Sequence, residues 1–335
     1  MILDISAMSS APFNTSGTYQ PPSAINVPAL YDWPPRPIAA LRWLFFELLF
    51  PWGFFFIGLA LVSWYYLTPS LETMSELRFD WIALIWLRNA ALLSLVAGTL
   101  HWWLYVRRAQ NKEYKFNDQW LATDNKMFLW GNQVWDNMAW SLLSGVTVWS
   151  LWESVTLWIY ASGRLPILSI TEHPVYFGVM AFAVILWSTT HFYFVHRFLH
   201  WPPVYKLCHE LHHRNVNIGP WTGISMHPLE HLVYFSVFML WWFVPVHPVI
   251  ILATGFFQGI SPAISHSGFD QVVLKGNTRV SAGDWFHQLH HQYFNFNYGN
   301  TPTPFDKVFG SWHDGTPESL LLQKGRIRSR RKKLA

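Results

Sequence analysis

The chain has 335 residues, of which 51% are hydrophobic, 18% aromatic and only 13% charged, with a formal net charge of +4. Soluble domains carry about 25% charged residues, so this composition excludes an ordinary soluble enzyme. It points to a membrane protein with aromatic belts, for which 22 Trp and 26 Phe are ample. The single cysteine, Cys208, excludes an intramolecular disulfide and a cysteine-rich metal site, and is expected as a small buried apolar residue.

Residues 1–40 are rich in Pro, Ser and Asn and lack a basic stretch followed by an apolar run, so no cleaved signal peptide is expected there. They read as an extended lead-in. Four stretches then have the roughly 20 apolar residues needed to cross a bilayer: Leu44–Leu67, Trp81–Val106, Asn137–Tyr160 and Val175–Val195. Pro51 predicts a kink in the first. Arg88 and Glu153 are costly in lipid and are expected to face the bundle interior, water or an interface, where pairing with each other is one solution. Two shorter apolar runs, Leu232–Val246 and Pro248–Ile264, are separated by Pro245 and Pro248. They predict a re-entrant hairpin or a further pair of spans.

The connection Arg107–Lys126 carries five basic residues, whereas Thr68–Asp80 and Ala161–Pro174 carry one each. The positive-inside rule therefore places the first connection, and the end of the fourth span, in the cytoplasm. The stretch Lys324–Lys333, "KGRIRSRRKK", reads as a basic tail beside anionic lipid, and no nucleic-acid partner is expected.

Fourteen of the 16 histidines lie between His191 and His313, and they are grouped. The groups are His196/His200 in "HRFLH", His209/His212/His213 in "HELHH", His227/His231 in "HPLEH", His266 in "SHSGFD" and His287/His290/His291 in "HQLHH". Residues i, i+3 and i+4 share one helix face, so each group presents its rings together. Isolated His101, His173 and His247 are assigned no role.

"HELHH" contains the His-Glu-x-x-His pattern of zinc proteases, with Glu210 as the base, and "HPLEH" contains its inverted form. A catalytic zinc uses three protein ligands. The chain offers far more, enough for two metal ions with four or five imidazoles each. On that count Glu210 and Glu230 are expected as neighbours of the ligands or surface groups. Zinc has no redox chemistry, whereas iron suits O₂ activation on an apolar substrate at a membrane face.

In this order, "HRFLH", "HELHH", "MHPLEH", "SHSGFD" and "HQLHHQYFNFNYG", closed by "DKVFGSWHDG", resemble the fatty acid hydroxylase/sterol desaturase superfamily of membrane-bound non-haem di-iron enzymes. The resemblance covers about Trp187–Asp314. It implies an all-α polytopic membrane protein with about four transmembrane helices, a re-entrant or additional helical hairpin, and a cytosolic histidine-rich cap. The implied organisation is a lead-in (1–40), transmembrane helices (41–195), a di-iron cap (196–315) enclosing a membrane hairpin at about 232–264, and a basic tail (316–335).

The resemblance implies as iron ligands His196, His200, His209, His212, His213, His287, His290 and His291, completed by His227 and His266. His191, His231 and Asn297 are expected beside them. Many members carry an acidic residue seven positions before the first ligand, where this chain has Thr189. The implied reaction uses two Fe²⁺ ions, O₂ and external electrons to hydroxylate or desaturate a C–H bond of a sterol-type or fatty-acyl-type lipid. No cytochrome b5 signature is fused, so a separate donor is expected, such as a ferredoxin or a cytochrome b5 with its reductase. Trp221, Trp241, Trp242, Trp285 and Phe286 are candidates for the lipid passage, or else belt and packing residues. The competing readings are an intramembrane zinc protease at 209–213 and a non-catalytic lipid- or metal-binding relative.

Overall fold

The computed structural model describes residues 19–275, 278–322 and 325. The start of the lead-in and nearly all of the basic tail, including Lys324–Lys333 apart from Gly325, lie outside the described residues. The helices that build the site are α1 (Pro37–Tyr66), α2 (Phe79–Val106), α3 (Gln133–Ala161), α4 (Pro174–Leu199), α5 (Glu210–His213), α6 (Pro228–Tyr234), α7 (Pro248–Ser265) and α8 (Trp285–Tyr293). Among the described residues, five helices, α1 to α4 and α7, are long and apolar enough to cross a membrane. The protein is a polytopic, mainly helical membrane protein. One short antiparallel hairpin, β1 (Gln271–Val273) with β2 (Arg279–Ser281), pairs Val272 with Val280.

Local sequence sets the helix ends. Pro37 and Pro174 begin α1 and α4, where a missing N–H costs nothing. The Asn132 side chain caps α3 by accepting from the N–H groups of Val134 and Trp135. Within α1 the backbone leaves the helical region at Phe50 (φ −100°, ψ 135°), the residue before Pro51. Proline disfavours helical backbone in the residue that precedes it, so the expected kink falls there.

Three helix termini and the middle of α1 meet at one end of the bundle. Tyr105, at the end of α2, donates its hydroxyl to Ser267 O (2.9 Å) and Ile218 O (3.0 Å). Gln133, at the start of α3, donates to Asn217 O (2.7 Å). Trp52 of α1 donates to Ser281 O (2.8 Å). The C-terminus of α4 carries His196 and His200. The histidine-rich cap sits on this end, which is also the end of the Arg107–Lys126 connection.

The apolar runs after α5 form an additional hairpin that penetrates the bundle core. Its descending arm is α6 continued by a 3-10 helix, Phe235–Trp242, and its ascending arm is α7. At the far end Tyr160 Oη donates to Trp241 O (2.7 Å) and Val244 O (3.0 Å), and Tyr176 Oη donates to Pro245 O (2.8 Å). The hairpin thus reaches the opposite ends of α3 and α4. Only the ascending arm has span length, so of the two expected arrangements the runs form a hairpin and not a further pair of spans. Helix α7 is 83% buried over its most apolar window. Gly255 and Gly259 permit this: a Cβ on them would lie 2.5 Å and 2.6 Å from Trp149 of α3. Small residues four apart let neighbouring helices approach closely in a membrane.

Arg88 and Glu153 do pair inside the bundle, with side chains 4% and 0% exposed. Asn89 Nδ2 donates to Glu153 Oε2 (3.0 Å) and to Ser150 Oγ (3.1 Å), and Arg88 Nη1 donates to Thr68 Oγ1 (3.0 Å). Removing one partner of a buried pair costs about 3–5 kcal/mol, because the other charge is stranded. Glu153→Ala should therefore lower the unfolding midpoint in mild detergent by that order, whereas Arg88→Met with Glu153→Leu should recover most of it. Equal loss in both variants would contradict the pairing.

Candidate metal centre

Four segments deliver histidines to the cap. His196 and His200 lie one turn apart at the end of α4. A π-helical turn, Tyr205–His209, runs into α5 and places His209, His212 and His213. His266 follows α7. Helix α8 carries His287, His290 and His291 on one face. Asp284 caps it by accepting from the N–H groups of Phe286 (2.9 Å) and His287 (3.3 Å), and Phe294 ends it in the left-handed region (φ 65°).

These rings form two clusters. His196, His200, His209, His213 and His290 make one, and His212, His266, His287 and His291 the other; within each, the ligand atoms lie within 4.8 Å of one another. All nine are buried except half-buried His200. Burial first, with neighbouring imidazoles adding for most, holds them neutral. It pushes His212 down to about 4 and His266 to about 3, and depresses His209, His213, His287, His290 and His291 strongly. Neutral imidazole is the metal-binding form.

The Nδ1 hydrogen bonds decide what occupies each cluster. His196 Nδ1–H donates to Tyr298 O (2.6 Å), His290 Nδ1–H to Phe296 O (2.5 Å), His212 Nδ1–H to Ser225 O (3.3 Å) and His266 Nδ1–H to Pro262 O (3.0 Å). His209 Nδ1–H donates to Glu230 Oε1 (2.7 Å). Carbonyls only accept, so in these rings Nε2 is left as a bare lone pair. Yet the Nε2 atoms converge: His200 lies 3.0 Å from His213, 3.0 Å from His290 and 3.2 Å from His209, and His290 lies 3.1 Å from His213. His291 and His266 approach to 3.3 Å.

One proton on His200 cannot serve three neighbours. Lone pairs at these distances repel unless a cation sits among them. The residues therefore fit metal ions, and an all-imidazole donor set suits zinc, copper, iron or nickel. A tetrahedral zinc with bonds of about 2.0–2.1 Å separates its ligands by about 3.3–3.4 Å. The His200, His213 and His290 face is tighter than that, and it fits an ion of higher coordination number.

The structure thus brings nine of the ten expected ligands together. His227 is the exception and a correction: it is half-buried and its Nδ1 caps α6 by accepting from Leu229 N (3.2 Å). Its ring is engaged at the start of the helix, where it satisfies one of the free N–H groups of the first turn. His191 bonds Ser236 (2.9 Å) and His231 bonds Ser144 (2.9 Å) and Ile224 O (3.0 Å), so both tie helices together rather than meet a ligand ring. The two glutamates of the protease-like patterns part company. Glu210 is exposed and faces away from the clusters, whereas Glu230 is buried against His209. Thr189 donates its hydroxyl to its own helix, to Leu186 O at 3.0 Å, so no carboxylate reaches the clusters from that position.

Comparison with known proteins agrees with this geometry. The fatty acid hydroxylase family model matches residues 180–311. That segment holds all nine clustered histidines. Residues 180–311 are thus similar to the fatty acid hydroxylase family. Among curated relatives, a Delta(7)-sterol 5(6)-desaturase of Candida dubliniensis is 31% identical over 45% of this chain and 38% of the relative. Those of Eremothecium gossypii and Saccharomyces cerevisiae are 34% and 32% identical over 39% of this chain and 36% and 35% of the relatives. The chain thus spans well under half the length of the curated relatives it matches. No solved structure gives a significant match.

The matched segment also contains residues that hold the clustered rings in place without joining the clusters. Phe296 O and Tyr298 O, the acceptors for His290 and His196, sit in one loop. Asn297 pins that loop from within: its Nδ2 donates to Phe286 O and His313 O, both at 3.0 Å, and its Oδ1 accepts from His313 N at 2.7 Å. Buried Asp306 accepts from the N–H groups of Tyr298 (3.0 Å) and Gly299 (2.7 Å) and from Ser311 Oγ (2.6 Å). Sequence reasoning singled out Asn297 but missed Asp306. The signal available was its place in "PFDKVFGSW", five residues before Ser311.

The clusters open onto a cleft of about 200 Å³ between α1, α4 and α7. Trp52 and Phe56 of α1, Phe192 of α4 and Phe257 of α7 give it an apolar wall, and His196, His209, His212, His266 and His287 reach it. None of the five aromatics named as candidate passage residues lines it. Trp241 and Trp242 instead donate to Thr254 (2.7 Å) and Thr156 (3.0 Å), Trp285 packs on Phe116, Phe286 packs on Trp312, and Trp221 is buried in the core. They are packing residues.

Loss of an outer hydrogen-bond partner costs metal sites about 10–100-fold in affinity. Asp306→Asn should lower metal affinity by that order, read by chelator competition, while secondary structure and detergent stability stay near wild type. Unchanged affinity would separate the loop from the metal centre.

Proposed function

We propose that the protein is a membrane-bound di-iron oxidoreductase that uses O₂ and external electrons to hydroxylate or desaturate a C–H bond of a lipid. The observation that carries this reading is the pair of imidazole clusters opening onto an apolar cleft between membrane helices. A protease site would instead place Glu210 beside the metal and water at the reacting bond, and Glu210 is exposed. Iron, when bound, supplies O₂ and one-electron chemistry that zinc lacks.

In this reading His196, His200, His209, His213 and His290 hold one iron, and His212, His266, His287 and His291 hold the other. Residues 196–315 form the catalytic cap. The carbonyls of residues 225, 262, 296 and 298 keep the ligand tautomers fixed. The apolar cleft orients the lipid and excludes bulk water. The relatives' names favour a sterol over a fatty acyl substrate. The five basic residues between α2 and α3 favour a cap on the cytoplasmic side. Electrons come from a separate donor there, such as a ferredoxin or a cytochrome b5 with its reductase.

Reconstituted protein supplied with O₂, a reductase and donor, and a mixed sterol and fatty-acyl lipid pool should yield a lipid that has lost two hydrogens or gained one oxygen, read by mass spectrometry. Glu210→Gln should retain this turnover and His287→Ala should abolish it. Loss of turnover in Glu210→Gln, or peptide cleavage by the wild type, would contradict the proposal.

A further inference from the structure

A second cavity lies beside the cleft, between the lead-in and the first half of α1. It is a vestibule of about 960 Å³, within the range of natural ligand pockets at about 300–1,000 Å³, and its lining is more polar than that of the cleft. The two adjoin. Glu47 of α1 lines both, and loop 300–302 divides them, giving Asn300 and Pro302 to the cleft and Thr301 to the vestibule. Tyr31 of the lead-in donates its hydroxyl to Pro302 O (2.9 Å) and so fastens the lead-in to that loop.

Four charged side chains line the vestibule: Asp32, Arg36, Arg42 and Glu47. Asp32 and Arg36 are taken up with each other, Arg36 Nε donating to Asp32 Oδ2 at 2.7 Å. Arg42 and Glu47 are both exposed and enter no ion pair among the described residues. The vestibule therefore presents one unpaired cation and one unpaired anion on the same helix, and a ligand that meets both is a zwitterion. Depth narrows the ligand further. Helix α1 has 30 residues, about 45 Å of helix against a hydrocarbon core of about 30 Å, so its first half lies at headgroup level. That half turns Ile38, Leu41, Phe45 and Phe46 outward, each 49–76% exposed. An apolar helix face with arginine beside it seats in the membrane interface.

We propose that the vestibule binds the zwitterionic headgroup of a glycerophospholipid from the leaflet beside the cap, its phosphate at Arg42 and its ammonium group at Glu47. A guanidinium matches phosphate oxygens, and a carboxylate accepts from an ammonium N–H. A lipid fits better than a soluble zwitterion, because the apolar wall of the cleft begins next to Glu47, at Leu48 and Trp52, and the outer face of α1 is apolar. The site goes beyond the lipid-oxidising reading and does not depend on it.

The experiment titrates the full chain, delipidated in detergent, with dioleoylphosphatidylethanolamine, dioleoylphosphatidylglycerol and dioleoylglycerol, counting bound lipid by native mass spectrometry. The wild type should bind one phosphatidylethanolamine on the order of tenfold more tightly than either of the others, the scale of a charge-assisted hydrogen bond. Glu47→Gln should bring phosphatidylethanolamine down to the level of phosphatidylglycerol. Arg42→Gln should weaken both, and Arg164→Gln, in the connection between α3 and α4 at the far end of the bundle, should change neither. Equal wild-type affinity for the three lipids would overturn the proposal, since the chains alone then bind. A preference for phosphatidylglycerol would overturn it as well, since the site is then simply basic, and so would displacement of the lipid by an equal concentration of glycerophosphoethanolamine. The wild-type comparison needs no variant to fold. Iron content and turnover of the same samples report on the oxygenase separately: absent headgroup selectivity with iron and turnover intact sinks this site alone, and selectivity without iron sinks the oxygenase alone.

Discussion

The structure is organised around converging imidazole lone pairs. Nine rings are packed into a largely buried space with their bare nitrogens 3.0–3.3 Å apart where they meet. Burial denies them protons, and in five of the nine an Nδ1 hydrogen bond fixes the remaining proton on the side away from the other rings. Such an arrangement is unfavourable in itself and becomes favourable only around cations. Each neighbouring feature reads as a means of holding these rings in that arrangement.

Two kinds of support do so. The membrane bundle supplies rigid ends: three helix termini meet at the cap, α7 fills the core beneath it, and the Arg88–Glu153 pair locks α2 to α3 in a region where unpaired charge is costly. The polar supports are nearer. Backbone carbonyls orient four of the ligands, Glu230 orients a fifth, and Asp306 and Asn297 hold the loop that supplies two of those carbonyls. Asp306 and Asn297 touch no ligand ring, yet both are buried and fully engaged.

Much of this was legible in the sequence. Four spans were visible because apolar length is a strong signal in a bilayer, and the kink was visible because proline constrains its neighbour at Phe50. The clustered histidines were visible because helical spacing alone puts i, i+3 and i+4 on one face. What spacing could not give was pairing between segments. Nothing in "HPLEH" says that His227 caps a helix while Glu230 turns inward to His209. Apolar runs likewise do not reveal whether they face lipid or protein, which is why the core position of α7 and the packing role of Trp241, Trp242 and Trp285 emerged only from the fold. The β1–β2 hairpin is too short for its alternation to stand out.

The central claim is that the two clusters hold a pair of redox-active metal ions. Elemental analysis of protein purified under mild conditions from iron-replete cells tests it most directly. The account predicts about two irons per chain, matching the two ligand sets. One zinc per chain with no iron would contradict it.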